Sequence, residues 1–364
     1  MPYQEGRQLD LQVCQSHFPE LSSSQKVTAT IRRVLSMTMS PVMSIAIPTS
    51  HSPPIHGVLK LYDRRFGTSL RRDYGNKLAP HTQKTEEAFQ TFVRQGFMPE
   101  FLNILKDEEE SETDDIPSSS RSFLDGTAEG DSKYEAALWR ECNEHFRCEI
   151  EVYMRLSDLQ GISIPRMLAH IRLVTEDNKS NTSTPADLQP EEVSYSEVWG
   201  ILLEGIDGYT LEDITSSPLA PPAYDKKKWR QIIQSAVDLA HEINKRGIIM
   251  EDCAPRNVVV DKSSHTPRII DFAQCRFRDK LAERWQRWKW HEYDDWDPDV
   301  EYWEQVQGRD NPGAIGAVMI NRVQRATGVK LEIDWWFKEC EAIIAEIKRR
   351  KAEAAIEDES DSQA

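Results

Sequence analysis

Three short apolar runs in the second half of the chain constrain its fold more than any other feature. They cover residues 248–250, 258–260 and 269–270, and polar residues follow each of them. Runs of this length are too short for stable helices but fit buried strands, so we predict two adjacent β-hairpin turns here. A helix predicted over 226–246 precedes the first run, and Gly247 stands where a left-handed residue would end that helix.

The polar residues after these runs include Asp252, Asn257 and Asp271. Adjacent turns would bring their three side chains together. A carboxylate can accept a proton from a hydroxyl group, and carboxylate and amide oxygens are ligands that suit Mg²⁺. The pattern therefore predicts a site for metal binding and proton transfer. The alternative is an ordinary acidic hairpin, since Asp and Asn side chains also stabilise turns.

The helix over 226–246 is the clearest secondary-structure prediction in the chain. Asp225 can cap its first turn. Its apolar residues recur at helical spacing and form one face: Trp229, Ile232, Ile233, Ala236, Ala240 and Ile243. His241 lies on the same helix, where we expect a packed structural histidine rather than a catalytic one. Further along, a turn is predicted at 311–313 and a helix at 335–355.

In the first half of the chain, apolar residues alternate in some segments and recur at helical spacing in others, which predicts a mixture of strands and helices. Residues 107–133 interrupt it with acidic and Ser-rich composition, which predicts a disordered insertion because too little apolar surface is present to offset ordering. The predicted elements are a β-hairpin over 27–50, a strand over 57–63, helices over 85–106 and 134–159, and strands over 164–174 and 198–204.

The 364-residue chain is long enough for two domains with separate cores. Its formal net charge of -16 argues against a general nucleic-acid binder, which needs clustered Lys and Arg. No secretory signal is predicted, and no stretch reaches the length of a membrane span. The six cysteines lack zinc-site spacing, which favours reduced thiols. We therefore expect a cytoplasmic or nuclear protein that is not secreted, with no nucleic-acid or membrane partner.

The spacing of Asp252 and Asn257, followed by Asp271-Phe272, resembles the catalytic and metal-binding loops of the protein-kinase-like superfamily. The resemblance covers residues 27–276. It implies an α+β, two-lobed protein-kinase-like fold, with an N-terminal antiparallel β-sheet lobe that carries one long helix and a mainly helical C-terminal lobe. The segment 203–208 is similar to connectors in fungal kinase-like proteins and in the aminoglycoside and choline phosphotransferase branch.

The resemblance also implies a domain organisation. We expect an N-terminal extension over 1–26, an N-lobe over 27–204 with the insertion near 107–133 and a polar loop over 176–196, a hinge and C-lobe over 205–355, and an acidic tail over 356–364.

On this resemblance, four residues would contact ATP or position a residue that does. Lys60 would bind the α and β phosphates, and Glu149 would pair with it, since Tyr153 lies on the same helix face. Glu151 is the alternative partner. Glu204 and Ile206 would lie in the hinge, where backbone N–H and C=O groups contact adenine.

The chemistry would fall to the two loops in the second half. The resemblance implies that Asp252 accepts or orients the proton of the acceptor hydroxyl and that Arg256 offsets negative charge nearby. Asn257 and Asp271 would bind Mg²⁺. The cofactors implied are therefore ATP and Mg²⁺.

Four departures from the family pattern accompany these matches. Residues 36–41 contain no glycine-rich phosphate loop, and Met250-Glu251 replaces the usual His-Arg. Ala273 stands where a Gly follows Asp-Phe, at a point where φ could need to be positive. The Ala-Pro-Glu segment that helps protein kinases bind peptides is also missing.

The resemblance therefore implies an ATP- and Mg²⁺-dependent phosphotransferase. It would move the γ-phosphoryl group to a hydroxyl of an unidentified acceptor, either a small molecule or a protein Ser, Thr or Tyr. The alternative is a pseudokinase that acts as a nucleotide-binding or protein-interaction module. The sequence leaves the oligomeric state open.

Overall fold

The computed structural model describes residues 2–49, 53–73, 75–111, 119–174, 195–222, 224–288 and 296–361. Its chain forms two units. The first contains Met1–Arg155 and Arg166–Gly205, and the second contains Leu156–Pro165 and Ile206–Ala364. The chain therefore passes from one unit to the other three times.

A closed antiparallel barrel forms the centre of the first unit. Alternate residues of each strand point inward, so that Leu9, Leu11 and Val13 on one strand meet Met43 and Ile45 on another. The strands are β1 (Gln8–Ser16), β2 (Lys26–Ser36), β3 (Val42–Ile47), β4 (Ile55–Leu61), β5 (Met167–Leu173) and β6 (Val198–Glu204), hydrogen-bonded in the order β1-β2-β3-β4-β6-β5.

Strand β1 corrects the prediction that residues 1–26 form an extension. It pairs with β2, where Gln8 faces Thr30, and with β5, where Leu11 faces Leu173. The physical reason is the alternation of Leu9, Leu11 and Val13, which gives the segment an apolar face that must be buried. Without β1, the barrel would be open between β2 and β5.

Three helices accompany the barrel: α1 (Gln83–Arg94), α2 (Met98–Glu110) and α3 (Ala128–Arg155). Gly96, in a left-handed conformation with φ of 75°, separates α1 from α2, where the sequence predicted one helix. Helix α2 extends into the predicted insertion at 107–133, and α3 begins inside it. Residues 112–118 of that insertion, and 175–194 around the predicted polar loop, lie outside the described residues.

A buried ionic cluster joins α3 to the segment that follows β4. Glu135 on α3 is fully buried and pairs with Arg64 and, at 2.6 Å, with Arg71, both of which are also buried. Arg64 further pairs with Glu86 on α1 at 2.6 Å. Burial favours the neutral carboxyl, but the hydrogen bond from Arg71 and the two guanidinium charges prevail and lower the pKa of Glu135. The cluster therefore holds both helices to one point of the chain.

Short sheets and longer helices build the second unit. Strand β9 pairs with both β7 and β10, and β8 pairs with β11. The elements are β7 (Gly208–Thr210), α4 (Lys226–Lys245), β8 (Ile248–Met250), β9 (Val258–Asp261), β10 (Pro267–Ile269), β11 (Cys275–Phe277), α5 (Arg278–Arg287), α6 (Pro298–Arg309), α7 (Asn311–Thr327) and α8 (Phe337–Asp361).

Helix α4 is the central helix of this unit, and it packs closely against α7. Asp225 caps it as predicted, and Gly247 follows it with a left-handed φ of 81°. A Cβ atom on Gly316 of α7 would lie 3.0 Å from both Val237 of α4 and Trp335, so the absence of a side chain permits the contact. This packing fixes the first half of α7 against the middle of α4.

The predicted α+β class is confirmed, because an antiparallel sheet region with a long helix precedes a mainly helical region. In the part of the chain that the structure describes, no helix is both long and apolar enough to cross a bilayer.

Replacing Glu135 by Gln should lower the free energy of unfolding by about 3 kcal/mol, because Arg71 would lose its buried anionic partner and Arg64 would retain only Glu86. Urea unfolding measures this. The control is Glu151→Gln on the same helix. It removes a partly exposed ion pair with Arg155 and should lower the free energy of unfolding by roughly 0.5 kcal/mol or less. Equal losses in the two variants would contradict a stabilising role for the buried cluster.

Candidate active site

The loop between β8 and β9 brings Asp252 and Asn257 together in the second unit. Residues Pro255–Asn257 form a short 3-10 turn that folds the chain back. The amide nitrogen of Asn257 then donates to the backbone carbonyl of Asp252 at 2.8 Å and to its carboxylate at 3.2 Å. The spacing of five residues thus closes a small ring of polar contacts. Because the Nδ2 atom of Asn257 donates both of these bonds, its Oδ1 oxygen is the atom that can serve as a metal ligand.

Arg256 lies in the same turn and forms an ion pair with the carboxylate of Asp252. Both side chains are substantially exposed, at 57% for Arg256 and 43% for Asp252. Water and salt weaken a pair of this kind, so it orients Asp252 without fixing it strongly.

Asp271 is placed next to this loop through the backbone. The N–H of Ile270 donates to the carbonyl oxygen of Asn257 at 2.8 Å, so the residue after Ile270 begins beside the loop. Phe272 is fully buried and anchors the following position, while Asp271 is exposed. The three residues predicted to converge therefore lie in one local structure.

The backbone conformation around Asp271 differs from the sequence expectation. The left-handed residue is Asp271 itself, with φ of 67°, and Ala273 does not have a positive φ. Asp tolerates this region better than most residues, because its side chain can bond locally, and the N–H of Ala273 donates to Asp271 Oδ1 at 3.4 Å. Ala273 in place of Gly consequently imposes no strain at this turn.

The donor set of the loops suits a hard cation. Asp252, Asn257 and Asp271 supply carboxylate and amide oxygens, which match Mg²⁺ better than Zn²⁺ or copper. Among the described residues, no cluster of three or more His, Cys, Asp and Glu has the geometry of a metal site. Any cation here would thus need phosphate or water oxygens to complete its coordination.

Cys253 is the other potentially reactive group in the loop. Burial, reinforced by the charge of Asp252, raises the pKa of its thiol to about 12. Its Sγ lies 3.4 Å from the carbonyl oxygen of Asn311. A thiol that remains protonated is a poor nucleophile.

Asn311, at the start of α7, bonds the end of the strand that leads into the loop. Its Oδ1 accepts from the N–H of Met250 at 3.0 Å, and its Nδ2 donates to the Met250 carbonyl at 2.7 Å. Asn244 of α4 donates to the same Oδ1 at 2.9 Å and to the Ile248 carbonyl at 2.9 Å. All these residues are buried, so two asparagine side chains hold the strand that leads to Asp252.

Glu251 has a similar supporting role at the surface. It pairs with Arg276 at 2.7 Å and with Arg309 at the end of α6. Its N–H donates to the carbonyl of Gln274 at 2.9 Å, which continues the pairing of β8 with β11. Met250 and Glu251, which depart from the family pattern, therefore have their own supports in this chain.

Asn311 was not among the residues predicted for the site. The turn predicted at 311–313 is wrong, because these residues begin α7. The available signal was Asp310 before Asn311-Pro312: Asp is a strong N-cap and Pro favours the first helical turn. Asp310 indeed accepts from the N–H of Gly313 at 2.9 Å.

In the first unit, Lys60 and Glu149 form a buried ion pair. Leu59 and Leu61 point into the barrel, so Lys60 between them points outward to α3. Its Nζ lies 2.6 Å from Glu149 Oε2, and the hydroxyl of Tyr62 donates to the same oxygen. The exposed fractions are 4% for Lys60 and 0% for Glu149. A lysine held this way has a fixed direction.

The other residues predicted for the nucleotide site lie outside the ion pair of Lys60 and Glu149. Glu151 pairs with Arg155 along α3 at 2.6 Å, whereas Glu149 takes Lys60. Glu204, the last residue of β6, forms an ion pair with Arg166 at 3.2 Å. Ile206 is half-buried and is the residue at which the chain enters the second unit.

Comparison with known proteins finds no matching family model and no matching curated protein. Solved structures do match. The kinase domain of Mycobacterium tuberculosis PknI, crystallised as a double mutant, has 12% identity and a TM-score of 0.29 over 75% of this chain and 64% of that one. The chain therefore spans a little less than two thirds of that structure.

Two further solved structures show similar levels of likeness. WbdD, co-crystallised with the kinase inhibitor LY294002, has 11% identity and a TM-score of 0.29 over 83% of this chain and 46% of that one. WaaP in complex with acyl carrier protein has 15% identity and a TM-score of 0.26 over 50% of this chain and 76% of that one.

Replacing Asn311 by Leu should lower the free energy of unfolding by about 3 kcal/mol, because the Met250 N–H and carbonyl would lose buried partners. The amides of residues 248–254 should also exchange with deuterium faster. Asn321→Leu is the control, since Asn321 is exposed on the same helix. If the two variants were equally stable and equally protected, Asn311 would not support the loop.

Proposed function

We propose that the protein is a phosphotransferase of the protein-kinase-like superfamily that depends on ATP and Mg²⁺. The observation that carries the proposal is the local convergence of three polar residues in the second unit. Asn257 bonds the carboxylate of Asp252 through its side chain and positions Ile270, next to Asp271, through its backbone. Phosphoryl transfer needs one proton acceptor and oxygen ligands for Mg²⁺ in close proximity, and this loop pair supplies both.

Asp252 is the proposed proton acceptor. The acceptor hydroxyl would lose its proton to Asp252 as its oxygen bonds the γ-phosphorus and the bond from that phosphorus to the bridging β,γ oxygen breaks, which releases ADP. The exposed pair with Arg256 is weak enough to open when a hydroxyl approaches. Arg256 would then lie near the negative charge of the phosphates.

Asn257 Oδ1 and the Asp271 carboxylate are the proposed ligands of Mg²⁺. Both are oxygen donors, as this cation requires. When bound, Mg²⁺ would offset phosphate charge and favour departure of ADP. The chain's contribution is orientation: the Nδ2 bonds of Asn257 fix which face of its amide carries the oxygen.

Lys60 is the proposed contact of the α and β phosphates, with Glu149 as the residue that positions it. The pair is buried, so its mutual attraction is strong and keeps the Lys60 side chain in one orientation. The backbone around Glu204 and Ile206 is the proposed adenine contact. The acceptor is proposed to be a hydroxyl compound, either a small molecule or a protein side chain.

A catalytically silent nucleotide-binding protein is the second candidate. Residues 36–41 favour it, because the turn after β2 has no glycine-rich sequence to cover phosphates and bonds to itself, with Ser36 and Thr38 hydroxyls 3.0 Å apart. This candidate predicts nucleotide binding without transfer.

Turnover distinguishes the two candidates. Asp252→Asn keeps an acceptor for Arg256 but removes the proton acceptor, so transfer from γ-labelled ATP to a cell extract should fall at least about 100-fold. Asp261→Asn, the same exchange in the β9–β10 turn, is the control and should retain full activity. Transfer that survives Asp252→Asn would exclude the proposed base, while nucleotide binding without any transfer by the unsubstituted protein would favour the silent candidate.

Nucleotide binding tests the remaining assignments. Lys60→Met should weaken ATP binding roughly tenfold through loss of a phosphate contact, and Asp271→Asn should abolish the part of the ATP-induced thermal shift that requires Mg²⁺. Isothermal titration measures the affinity for ATP, and thermal denaturation with ATP in the presence and absence of Mg²⁺ measures the shift. Lys84→Met, which removes an exposed lysine on α1, should bind ATP normally. A Mg²⁺-dependent shift unchanged in Asp271→Asn would refute that residue as a metal ligand.

A further inference from the structure

Residues 64–71 follow β4 in the first unit and lie against the turn that joins β2 to β3. We call this segment the strap. The N–H groups of Thr68 and Ser69 donate to the carbonyl oxygens of Met37 and Thr38 in that turn, at 2.8 and 2.9 Å. The strap and the turn are therefore joined backbone to backbone, independently of their side chains.

Gly67 is the point of closest approach between the strap and the turn. A Cβ atom at this position would lie 2.9 Å from the carbonyl oxygen of Met39 and 3.1 Å from that of Thr38, closer than side-chain carbons normally come to backbone oxygens. A residue without a side chain permits this approach. A methyl group here would have to push the turn away from the strap.

The strap is itself anchored to α3. Arg64 and Arg71, its first and last residues, are buried and both pair with Glu135 of that helix. Arg71 also donates to the carbonyl oxygens of Arg64 and Ala79, each at 2.9 Å. Because breaking buried charged bonds is costly, neither end of the strap can shift easily. The position of α3 therefore determines where the turn is held.

The turn lies beside Lys60. Val42, the first residue after the turn, pairs directly with Lys60 across β3 and β4, and the N–H of Leu61 donates to the carbonyl oxygen of Pro41 at 2.9 Å. Paired residues of antiparallel strands carry their side chains on the same face of the sheet, in contact distance. A phosphate group bound by Lys60 would therefore lie close to the turn.

The strap also determines which way the peptide groups of the turn face. In a trans peptide, the C=O and N–H groups point in opposite directions, and none of the described peptide bonds is cis. Because the carbonyl groups of Met37 and Thr38 face the strap, the N–H groups of Thr38 and Met39 face away from it. The N–H of Thr38 makes only a long bond of 3.4 Å, to Ser36 Oγ. Neighbouring N–H groups that point the same way can bind an anion.

We propose that the strap is a positioning element of the nucleotide site. It holds the turn rigidly beside Lys60, so that the N–H groups of Thr38 and Met39 contact the nucleotide's phosphates without a glycine-rich sequence. This role rests on the nucleotide binding in the proposed function. It adds the positioning residues Gly67, Thr68 and Ser69, which touch the turn rather than the nucleotide.

Gly67→Ala in the full chain tests the contact between the strap and the turn. The amides of Thr68 and Ser69 should exchange with deuterium about tenfold faster, because the added methyl group displaces their carbonyl acceptors. The amides of β1 should keep their protection, which shows that the barrel remains folded. Gly75→Ala is the matched control, since a Cβ atom there would meet only the side chain of Asp73.

Arg71→Lys tests the anchor of the strap without a direct contact to the turn. Lysine keeps the positive charge beside Glu135 but cannot reproduce the guanidinium bonds to two carbonyl oxygens. The strap should loosen, so the same two amides should exchange about threefold faster while β1 stays protected. This variant keeps the test decisive if Gly67→Ala does not fold.

Isothermal titration with ATP and with adenosine measures the role of the strap in phosphate binding. Gly67→Ala should weaken ATP binding about tenfold and leave adenosine binding unchanged, because only ATP carries phosphates for the turn to contact. A strap that merely stabilised the fold would weaken the binding of both ligands equally. Gly75→Ala should bind both ligands as the unsubstituted protein does.

The inference would be overturned if the exchange of the two strap amides were unchanged in both strap variants. It would also be overturned if ATP bound to these variants as tightly as to the unsubstituted protein, or if they lost affinity for ATP and adenosine equally. Failure of the unsubstituted protein to bind ATP is a different result. It would refute the proposed function, and the phosphate role of the strap with it, whatever the exchange rates.

Discussion

One side chain, that of Asn311, holds the position on which the candidate site of the second unit depends. Its amide bonds both the N–H and the carbonyl of Met250, two residues before Asp252. A side-chain amide that replaces a neighbouring strand in this way is strongly directional, because donor and acceptor are fixed on one plane. Burial then makes each bond costly to break. The loop needs little internal stability, since its starting point is determined by α7.

The two units use charge in contrasting ways. Lys60 and Glu149 are buried, so their pair is tight and Lys60 has one orientation. Asp252 and Arg256 are exposed, and their pair is open to water and salt. A group that must hold a phosphate benefits from rigidity. A group that must exchange its partner for an incoming hydroxyl benefits from a weak ion pair, because such a pair opens easily. The burial of each pair therefore matches its proposed task.

Local patterns in the sequence predicted the α+β class and the placement of the loop residues, because alternation, helical spacing and the interval from Asp252 to Asn257 are all short-range. A short-range pattern also favoured Glu149 over Glu151, because Glu149 shares a helix face with Tyr153. The support by Asn311 could not be predicted this way, since a side chain that bonds the backbone of a distant strand leaves no periodic trace. The left-handed φ of Asp271 likewise depends on the burial of Phe272 and on the bond of Ile270 to Asn257.

Closure of the barrel by β1 has a consequence for how the chain folds. Strand β1 pairs with β2, its neighbour in sequence, but its other edge can pair only with β5, far along the chain, where Leu11 meets Leu173. Contacts between such distant segments raise the contact order and slow folding. During that interval β1 presents an unpaired edge, the usual starting point for strand exchange between chains. Closing the barrel therefore pairs this edge of β1 and removes it as a site of strand exchange.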